Sequence, residues 1–376
     1  MRGDLDDRAA RMALSCVVDC GEPAVCDLVE VSGAQAAWVQ ARDGSFGDPV
    51  AQRVAALDLG TVMGRAEASA IRFVVPGDDE WPTRLHDLHY CDPVNRRGGA
   101  PWGLWLRGPA HLGEISASSV AVVGSRACTS YGSSVAADLG ADLADQGVSV
   151  ISGGAFGIDA AAHRGALAVQ GPTLCVLANG VDVPYPAGNA ALLSWIGKDY
   201  LLVSELPPGA TPTRVRFLAR NRLIAALSLG TVVVEAALRS GARNTATWAL
   251  ECNRHLMAVP GPVHSTMSAA PHLLIRDGLA ALVTDAADVL DLVSTMGQHT
   301  LEFASGETRP TDAFSPGRLA VYEAVPARSW SSAGDIALGA GVSLPSCLAE
   351  LAALESTGFV DVDAGGWRLA RRPAGS

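Results

Sequence analysis

Two glycine-containing turns that follow short apolar runs are the first candidates for an anion site. Gly124, Ser125 and Arg126 follow one run, and Gly153 and Gly154 follow the next. Glycines let backbone N–H groups approach an anion, and the start of a helix adds partial positive charge. A strand-to-helix turn also needs glycine for its backbone alone. The turns therefore favour a phosphate site but are also compatible with a purely structural role.

The second turn differs from the dinucleotide-binding fingerprint. Its glycines are not spaced as G-x-G-x-x-G, and no acid ends the next apolar run, where it would bind a ribose hydroxyl. We therefore expect no nicotinamide or other cofactor. Cys16 and Cys20 lie one helical turn apart, but neither a CxxC motif nor a His-rich partner accompanies them. We predict no metal site, and we interpret the eight cysteines as reduced thiols.

An arginine run between residues 214 and 222 supplies further candidates. Arg220, Asn221 and Arg222 come near its end, and Phe217 lies within it. The planar guanidinium suits phosphate oxygens, and an aromatic ring can stack on a base. A basic helix face is also a common solubility feature, and a lone Phe is more often in a core. Arg243, in a later glycine-containing turn, adds another positive charge.

Charge and hydropathy limit the class of protein. The formal net charge is −11, which argues against coating DNA along the whole surface. Residues 115–225 are balanced, with 7 basic and 7 acidic side chains, so a nucleic-acid site has to be local. No apolar stretch approaches about 18 residues, and Met1–Arg11 lacks a signal-peptide pattern. We expect a cytoplasmic protein without a membrane span.

The elements that position these residues are predicted from periodicity. Short β-branched runs alternate with segments of helical period between residues 76 and 296, which predicts an α/β fold with an extended Rossmann-like, doubly wound, mostly parallel sheet. Residues 1–75 are predicted to form a helical domain, and 297–317 a linker. Residues 318–376 follow a winged-helix-like pattern. Its predicted recognition helix, Leu344 to Ser356, carries two acids and no basic residue, which favours protein contact or packing.

Six short motifs stand in one order and together resemble the signature of the DNA-processing protein A (DprA/Smf) family. The similarity covers roughly Asp78 to Leu292 well. The motifs are Gly124-Ser125-Arg126, Ser152 to Asp159, Gly180-Val181-Asp182 with Tyr185-Pro186, Arg220-Asn221-Arg222, Val234-Glu235-Ala236 and Ala258 to Gly261.

The resemblance implies a cytoplasmic, non-enzymatic homodimer that binds single-stranded DNA, protects it, and assists loading of the RecA recombinase in natural transformation and recombination. It places the DNA pocket on the residues already singled out: Gly124, Ser125, Arg126, Gly153, Gly154, Arg220, Asn221 and Arg222.

The chain departs from the family pattern at three places. Phe217-Leu218-Ala219 replaces the usual Phe-Pro, and Ser240 to Arg243 replaces Ser-Gly-Ser-Leu. Ala270-Pro271-His272 stands where Gly and Asn are usual. These changes alter the expected pocket wall, and the second brings Arg243.

Two other functions remain open at the level of sequence. A nucleoside-monophosphate phosphoribohydrolase on a similar fold would use Glu235 as its catalytic acid, although the segment Ser228 to Glu235 keeps only the Gly-Thr of that class's motif. Glu235 is equally compatible with a structural hydrogen-bond acceptor. A sequence-specific repressor acting through the C-terminal domain is the third reading.

Overall fold

The computed structural model describes residues 5–294 and 310–370. These two ranges belong to two separate compact units. The linker predicted at 297–317 lies largely outside the described residues.

The first unit begins with short helices that pack through small and branched side chains. Ala10, Ala13 and Leu14 of the first helix are fully buried, together with Ala37 of the third. Asp6 starts the first helix by accepting a hydrogen bond from the Ala9 N–H (2.7 Å). The helices are α1 (Asp7–Val17), α2 (Pro23–Ser32), α3 (Ala34–Arg42), α4 (Asp48–Ala56) and α5 (Leu59–Ala68).

A tryptophan-rich segment, residues 75–105, follows the first strand of the sheet and packs against the N-terminal helices. Trp81, Trp102 and Trp105 are all buried, as core packing requires. The Trp105 indole N–H donates to Ser15 Oγ of α1 (3.1 Å). A 3₁₀ helix, Thr83–His89, lies in this segment. The first strand of the sheet begins before this segment, at Ile71, whereas the sequence predicts a boundary at residue 76.

In the described residues 5–294 the sheet has nine strands, in the order β1-β2-β6-β5-β4-β3-β7-β8-β9. β1 with β2 and β2 with β6 pair antiparallel, and all other neighbours pair parallel. This confirms the predicted mostly parallel α/β fold. The strands are β1 (Ile71–Val74), β2 (Leu104–Arg107), β3 (Ser119–Val123), β4 (Ser149–Ser152), β5 (Thr173–Val176), β6 (Leu201–Ser204), β7 (Gly230–Val233), β8 (His255–Ala258) and β9 (Ala281–Leu282).

Helices cover both faces of the sheet, so its central strands are buried throughout. The chain runs outward from β3 through β4, β5 and β6, then returns to add β7 on the other side of β3. Strand order reverses there, and ligands of open α/β sheets bind beyond the carboxyl ends at such a point. The helices are α6 (Leu112–Ala117), α7 (Ser130–Asp145), α8 (Ile158–Ala168), α9 (Ala190–Asp199), α10 (Arg214–Leu227), α11 (Ala242–Glu251), α12 (Ala269–Arg276) and α13 (Ala286–Val293).

Within residues 310–370, the second unit has three α-helices and a hairpin around its own core, in the order of a winged helix. The hairpin strands pair antiparallel, and Phe359 with Val360 joins the core. Ser315, Ser332 and Ser343 each cap one helix with a side-chain oxygen. The elements are α14 (Pro316–Ala324), α15 (Ala333–Ala340), α16 (Leu344–Ser356), β10 (Val360–Asp363) and β11 (Gly366–Leu369).

Within the described ranges, no single helix is long and apolar enough to cross a membrane. α15 and α16 reach that length and composition only as a pair, across a bend of 104°.

Candidate nucleic-acid interface

An open cleft of about 1110 Å³ lies beyond the carboxyl ends of β3, β4 and β7. Its walls come from the turn after β3, the start of α8, the first half of α10 and the turn between β7 and α11. Five arginines and one acid, Asp159, are among the residues that line it. The cleft therefore carries net positive charge on a chain whose formal net charge is −11. The arginines are Arg126, Arg214, Arg220, Arg239 and Arg243.

Aromatic rings lie among these arginines. The Arg126 guanidinium carbon is 4.8 Å from the centroid of the Phe217 ring, and that of Arg220 is 5.9 Å from it. Tyr185 packs at a tilt against Phe217, with 5.8 Å between centroids. Phe217 is therefore first a cation–π partner. Tyr185, 39% exposed, presents the more accessible ring surface.

Arg220 forms the floor of the cleft. It is only 5% exposed, because α10 passes against the ends of β4 and β5. Its Nη1 donates to the carbonyl oxygens of Gly153 (2.9 Å) and Val176, and its Nε donates to Asn221 Oδ1 (3.2 Å). Nη2 makes no hydrogen bond to another residue of the described part of the chain. That nitrogen is the donor left for a ligand in the cleft.

Burial places the Arg220 charge in an unfavourable environment that an anion would relieve. Desolvation lowers the pKa of Arg220, and the nearby Asp159 carboxylate partly counteracts this. Burial likewise raises the pKa of Asp159, against the opposing effects of Arg220 and two backbone N–H groups. Because one buried carboxylate faces the arginines around it, a phosphate would add compensating negative charge.

The phosphate site predicted at the second glycine turn is occupied by the side chain of Asp159. Its Oδ2 accepts hydrogen bonds from the N–H groups of Gly153 (3.1 Å) and Ala155 (3.4 Å). The carboxylate thus takes the place that the sequence suggested for a ligand. A Cβ on Gly153 would lie 2.2 Å from Arg220 Nη1, and Gly154 has a φ of +65°. Both glycines are buried and serve packing and backbone geometry beneath Arg220.

The first turn divides between structure and cleft. The Ser125 N–H donates to the carbonyl oxygen of Glu235 (2.6 Å), which ties the turn to the end of β7. A Cβ on Gly124 would lie 2.5 Å from a side-chain carbon of Ile158. Gly124, Ser125 and Arg126 all line the cleft, and the Arg126 side chain is exposed.

Asn221 and Arg243 also reach the cleft. Asn221 Nδ2 donates to Asn244 Oδ1 (3.1 Å), which fixes α10 against the start of α11. Arg243 is exposed, and its Nη1 donates to the Leu238 carbonyl oxygen (2.9 Å) within the same turn.

Arg222 does not reach the cleft, contrary to its predicted place among the phosphate ligands. Its side chain is fully buried and pairs with Glu205 through two hydrogen bonds of 2.5 and 2.6 Å. It also donates to the carbonyl oxygens of Gly99 and Ala219 (both 2.9 Å). Burial alone would lower the pKa of Arg222, but Glu205 raises it overall. Arg222 therefore joins α10 to β6 and to the tryptophan-rich segment as a structural residue.

Glu235 takes the structural of its two predicted roles. It is buried, and its carboxylate accepts from the N–H (2.8 Å) and the hydroxyl (2.7 Å) of Thr129, the N-cap of α7. It does not line the cleft. A carboxylate at a helix N-terminus is favourable there, because it compensates the partial positive charge.

Among the cleft residues that sequence reasoning left out of the predicted site are two arginines and a tyrosine that can contact a nucleic acid. Arg214 begins α10, Arg239 follows β7, and Tyr185 follows β5. The signal for Arg214 was its place in the arginine run, and Arg239 directly precedes the Ser-Gly turn. Tyr185 stands in one of the six ordered motifs.

Fold and site together define a Rossmann-like protein with an arginine-lined cleft at the switch point of its sheet. A family model for DNA recombination-mediator protein A matches residues 72–294, and the chain belongs to this family, known as DprA or Smf.

The relatives match along most of their length. A DNA processing protein DprA of Mycobacterium tuberculosis is 45% identical over 361 residues, which cover 93% of this chain and 90% of the relative. Protein Smf of Escherichia coli is 37% identical over 80% of this chain and 78% of its own length.

Two solved structures share the fold. The X-ray structure of DprA from Streptococcus pneumoniae aligns with a TM-score of 0.63 and 30% identity, covering 78% of this chain and all of that one. DNA processing protein A of Helicobacter pylori, described for its single-stranded DNA binding mode, aligns with a TM-score of 0.51 and 26% identity, covering 59% of this chain and 96% of that one.

Proposed function

We propose that this chain binds single-stranded DNA in the arginine-lined cleft. The observation that carries the proposal is the placement of five arginines and one acid around two adjoining aromatic rings. Guanidinium forks suit phosphate oxygens, and aromatic faces accept any base. One surface thus offers both of the contacts that a flexible single strand can make.

Strand preference follows from the rings. Bases in a duplex are already stacked on each other, whereas unpaired bases are free to stack on a side chain. Tyr185, 39% exposed, offers such a surface at the edge of the cleft. The structure of the Helicobacter pylori relative, which concerns a single-stranded DNA binding mode, supports single-stranded DNA as the ligand.

We infer from family membership that the chain is a cytoplasmic homodimer that protects incoming DNA and assists RecA loading in transformation and recombination. We also infer that it acts by binding and not by catalysis. The structural use of Glu235 supports this, since it removes the candidate acid of a phosphoribohydrolase from the cleft.

The winged-helix unit carries a different role in this proposal. α16 has Glu350 and Glu355 and no basic residue, and Glu350 is paired with Arg318 of α14 (2.8 Å). Acidic side chains on that helix disfavour phosphate contact, so we assign the unit to protein contact or packing.

A competition titration tests the proposal. A fluorescent thymidine oligomer is titrated with wild type, Arg126→Ala, Tyr185→Ala and Arg164→Ala, and unlabelled duplex of equal length competes. We expect single strands to bind more tightly than duplex, and the first two variants each to lose about 1 kcal/mol or more. Arg164 is an exposed arginine of α8 that does not line the cleft, so its variant serves as a matched control.

Equal binding by all four proteins would show that the cleft is not the DNA-binding site. Tighter binding of duplex would contradict the stacking argument. RecA loading and dimer formation are tested separately, by RecA filament growth on protein-coated single strands and by light scattering of the purified chain.

A further inference from the structure

Two histidines and a glutamate come together outside the arginine-lined cleft. One ligand atom from each of Glu30, His86 and His89 lies within 4.8 Å of the other two. Glu30 belongs to α2, and the histidines belong to the 3₁₀ helix Thr83–His89. From this geometry we infer that the three side chains form a binding site for a divalent transition metal of the zinc class.

The 3₁₀ helix explains why the two histidines share a side. It has three residues per turn, so side chains three positions apart eclipse each other. His86 and His89 have this separation, and their ring centroids are 5.3 Å apart. In an α-helix the same pair would be splayed by about 60°, because three residues there turn through only about 300°. The local helix type thus presents both imidazoles to one point.

Glu30 supplies an oxygen at the same point. Its Oε2 lies 3.1 Å from His89 Nε2. Tetrahedral zinc with bonds of about 2.0–2.1 Å holds its ligand atoms roughly 3.4 Å apart, so this pair is already near the required separation. Two imidazoles and one carboxylate are a donor set suited to zinc with one position left for water.

A small cavity adjoins the three ligands and has room for that water. Its volume is about 50 Å³, and Glu30, His86 and His89 are among its lining residues. A cavity needs about 10–15 Å³ of such space to hold one water. Trp81 lines the same cavity, and its buried indole N–H has no acceptor within residues 5–294 and 310–370.

A cation is compatible with the surrounding charges. Arg11 also lines the cavity, but it is paired with Asp7 (2.6 Å) and donates to the Trp102 carbonyl oxygen (3.0 Å). The site would clamp α2 to the segment that leads into the sheet. None of its three ligands lines the arginine-lined cleft, so the inference is independent of DNA binding.

The test uses the full-length chain without an affinity tag, after chelator treatment. Co²⁺ is titrated and its visible absorption recorded, and Zn²⁺ then displaces it. We expect one ion per chain, tetrahedral Co²⁺ bands, and no thiolate charge-transfer band. Glu30→Gln, His86→Asn and His89→Asn should each weaken metal binding by at least about tenfold. Even the loss of a group that only supports a zinc ligand lowers metal affinity by about tenfold or more.

His264→Asn, which replaces an exposed histidine outside the site, is the control and should bind as wild type. His86 and Glu30 are exposed, so their variants should fold, and circular dichroism with thermal unfolding in chelator checks this. Zn²⁺ should raise the melting temperature of wild type but not of Glu30→Gln. Absence of binding, equal binding by all variants, or a thiolate band would each overturn the site and leave an ordinary His89–Glu30 ion pair.

Discussion

Replacing Arg222 should lower the free energy of unfolding of the protein without weakening its affinity for DNA. The fully buried guanidinium holds Glu205 through two hydrogen bonds and two carbonyl oxygens through two more. Arg222→Ala leaves the Glu205 carboxylate buried without its partner. Loss of one member of a buried pair costs about 3–5 kcal/mol, a large share of the roughly 5–15 kcal/mol that stabilises a typical domain.

Urea unfolding followed by circular dichroism measures this loss. The midpoint should fall sharply for Arg222→Ala and stay unchanged for Arg164→Ala. The double variant Arg222→Met with Glu205→Leu should be more stable than Arg222→Ala by about 1 kcal/mol or more, because no charge remains buried.

Binding of a thymidine oligomer, measured without urea on protein shown to be folded, should match wild type for the double variant. A stable Arg222→Ala protein with weakened DNA binding would refute the structural role of Arg222 and restore it to the phosphate ligands.

Three further predictions follow from other buried groups. Gly153→Ala should weaken DNA binding, since the new Cβ would lie 2.2 Å from Arg220 Nη1 and displace the Arg220 side chain at the cleft floor. Titration of the thymidine oligomer measures the affinity, and an unchanged affinity would show that Arg220 does not contact DNA. Glu235→Gln should lower stability by about 1 kcal/mol or more by weakening the hydrogen bonds to Thr129, and thermal unfolding checks this; an unaltered midpoint would contradict the helix-capping role. His163 is fully buried, and desolvation with the Arg220 charge lowers its pKa to about 3. The unfolded chain protonates the His163 imidazole near pH 6.5, whereas the folded chain does not. The stability of wild type should therefore fall between about pH 6.5 and 3, by up to about 1.4 kcal/mol per pH unit more than that of His163→Gln. Parallel curves of stability against pH for the two proteins would contradict this.

The sheet and the order of its elements were predictable, because a central strand that is buried on both faces has a continuous apolar sequence. β3 and β4 are examples, and the helical period between such runs is equally plain. The position of the glycine turns at the carboxyl ends of the strands was predictable in the same way, because each turn directly follows such an apolar run. These features depend on local patterns that tertiary packing does not override.

The direction of individual side chains was less accessible. Arg220 and Arg222 are two positions apart on α10, and two residues of a helix turn through about 200°, so the two side chains point to different faces. Grouping them by proximity in sequence placed Arg222 wrongly at the cleft. Helical geometry alone would have separated the pair, but not said which one faced the cleft.

Other features depend on parts of the chain that meet only after folding. Asp159 fills the anion position at Gly153, which shows that a glycine turn before a helix can bind a carboxylate of its own chain. Arg239 follows β7 and Arg214 begins α10, and both reach one cleft. Glu30 meets His86 and His89 across more than fifty residues, and no spacing rule in the sequence indicates that meeting.

The most direct measurement of the central claim is the salt dependence of single-stranded DNA affinity. Binding by wild type, Arg126→Ala, Arg214→Ala and the double variant is measured across a series of salt concentrations. Each arginine that contacts a phosphate contributes about 0.7 to the slope of log K against log salt for single strands. We predict a slope reduced by about that amount in each single variant and by about twice as much in the double variant. Slopes equal to that of wild type in all three variants would contradict phosphate binding by the cleft.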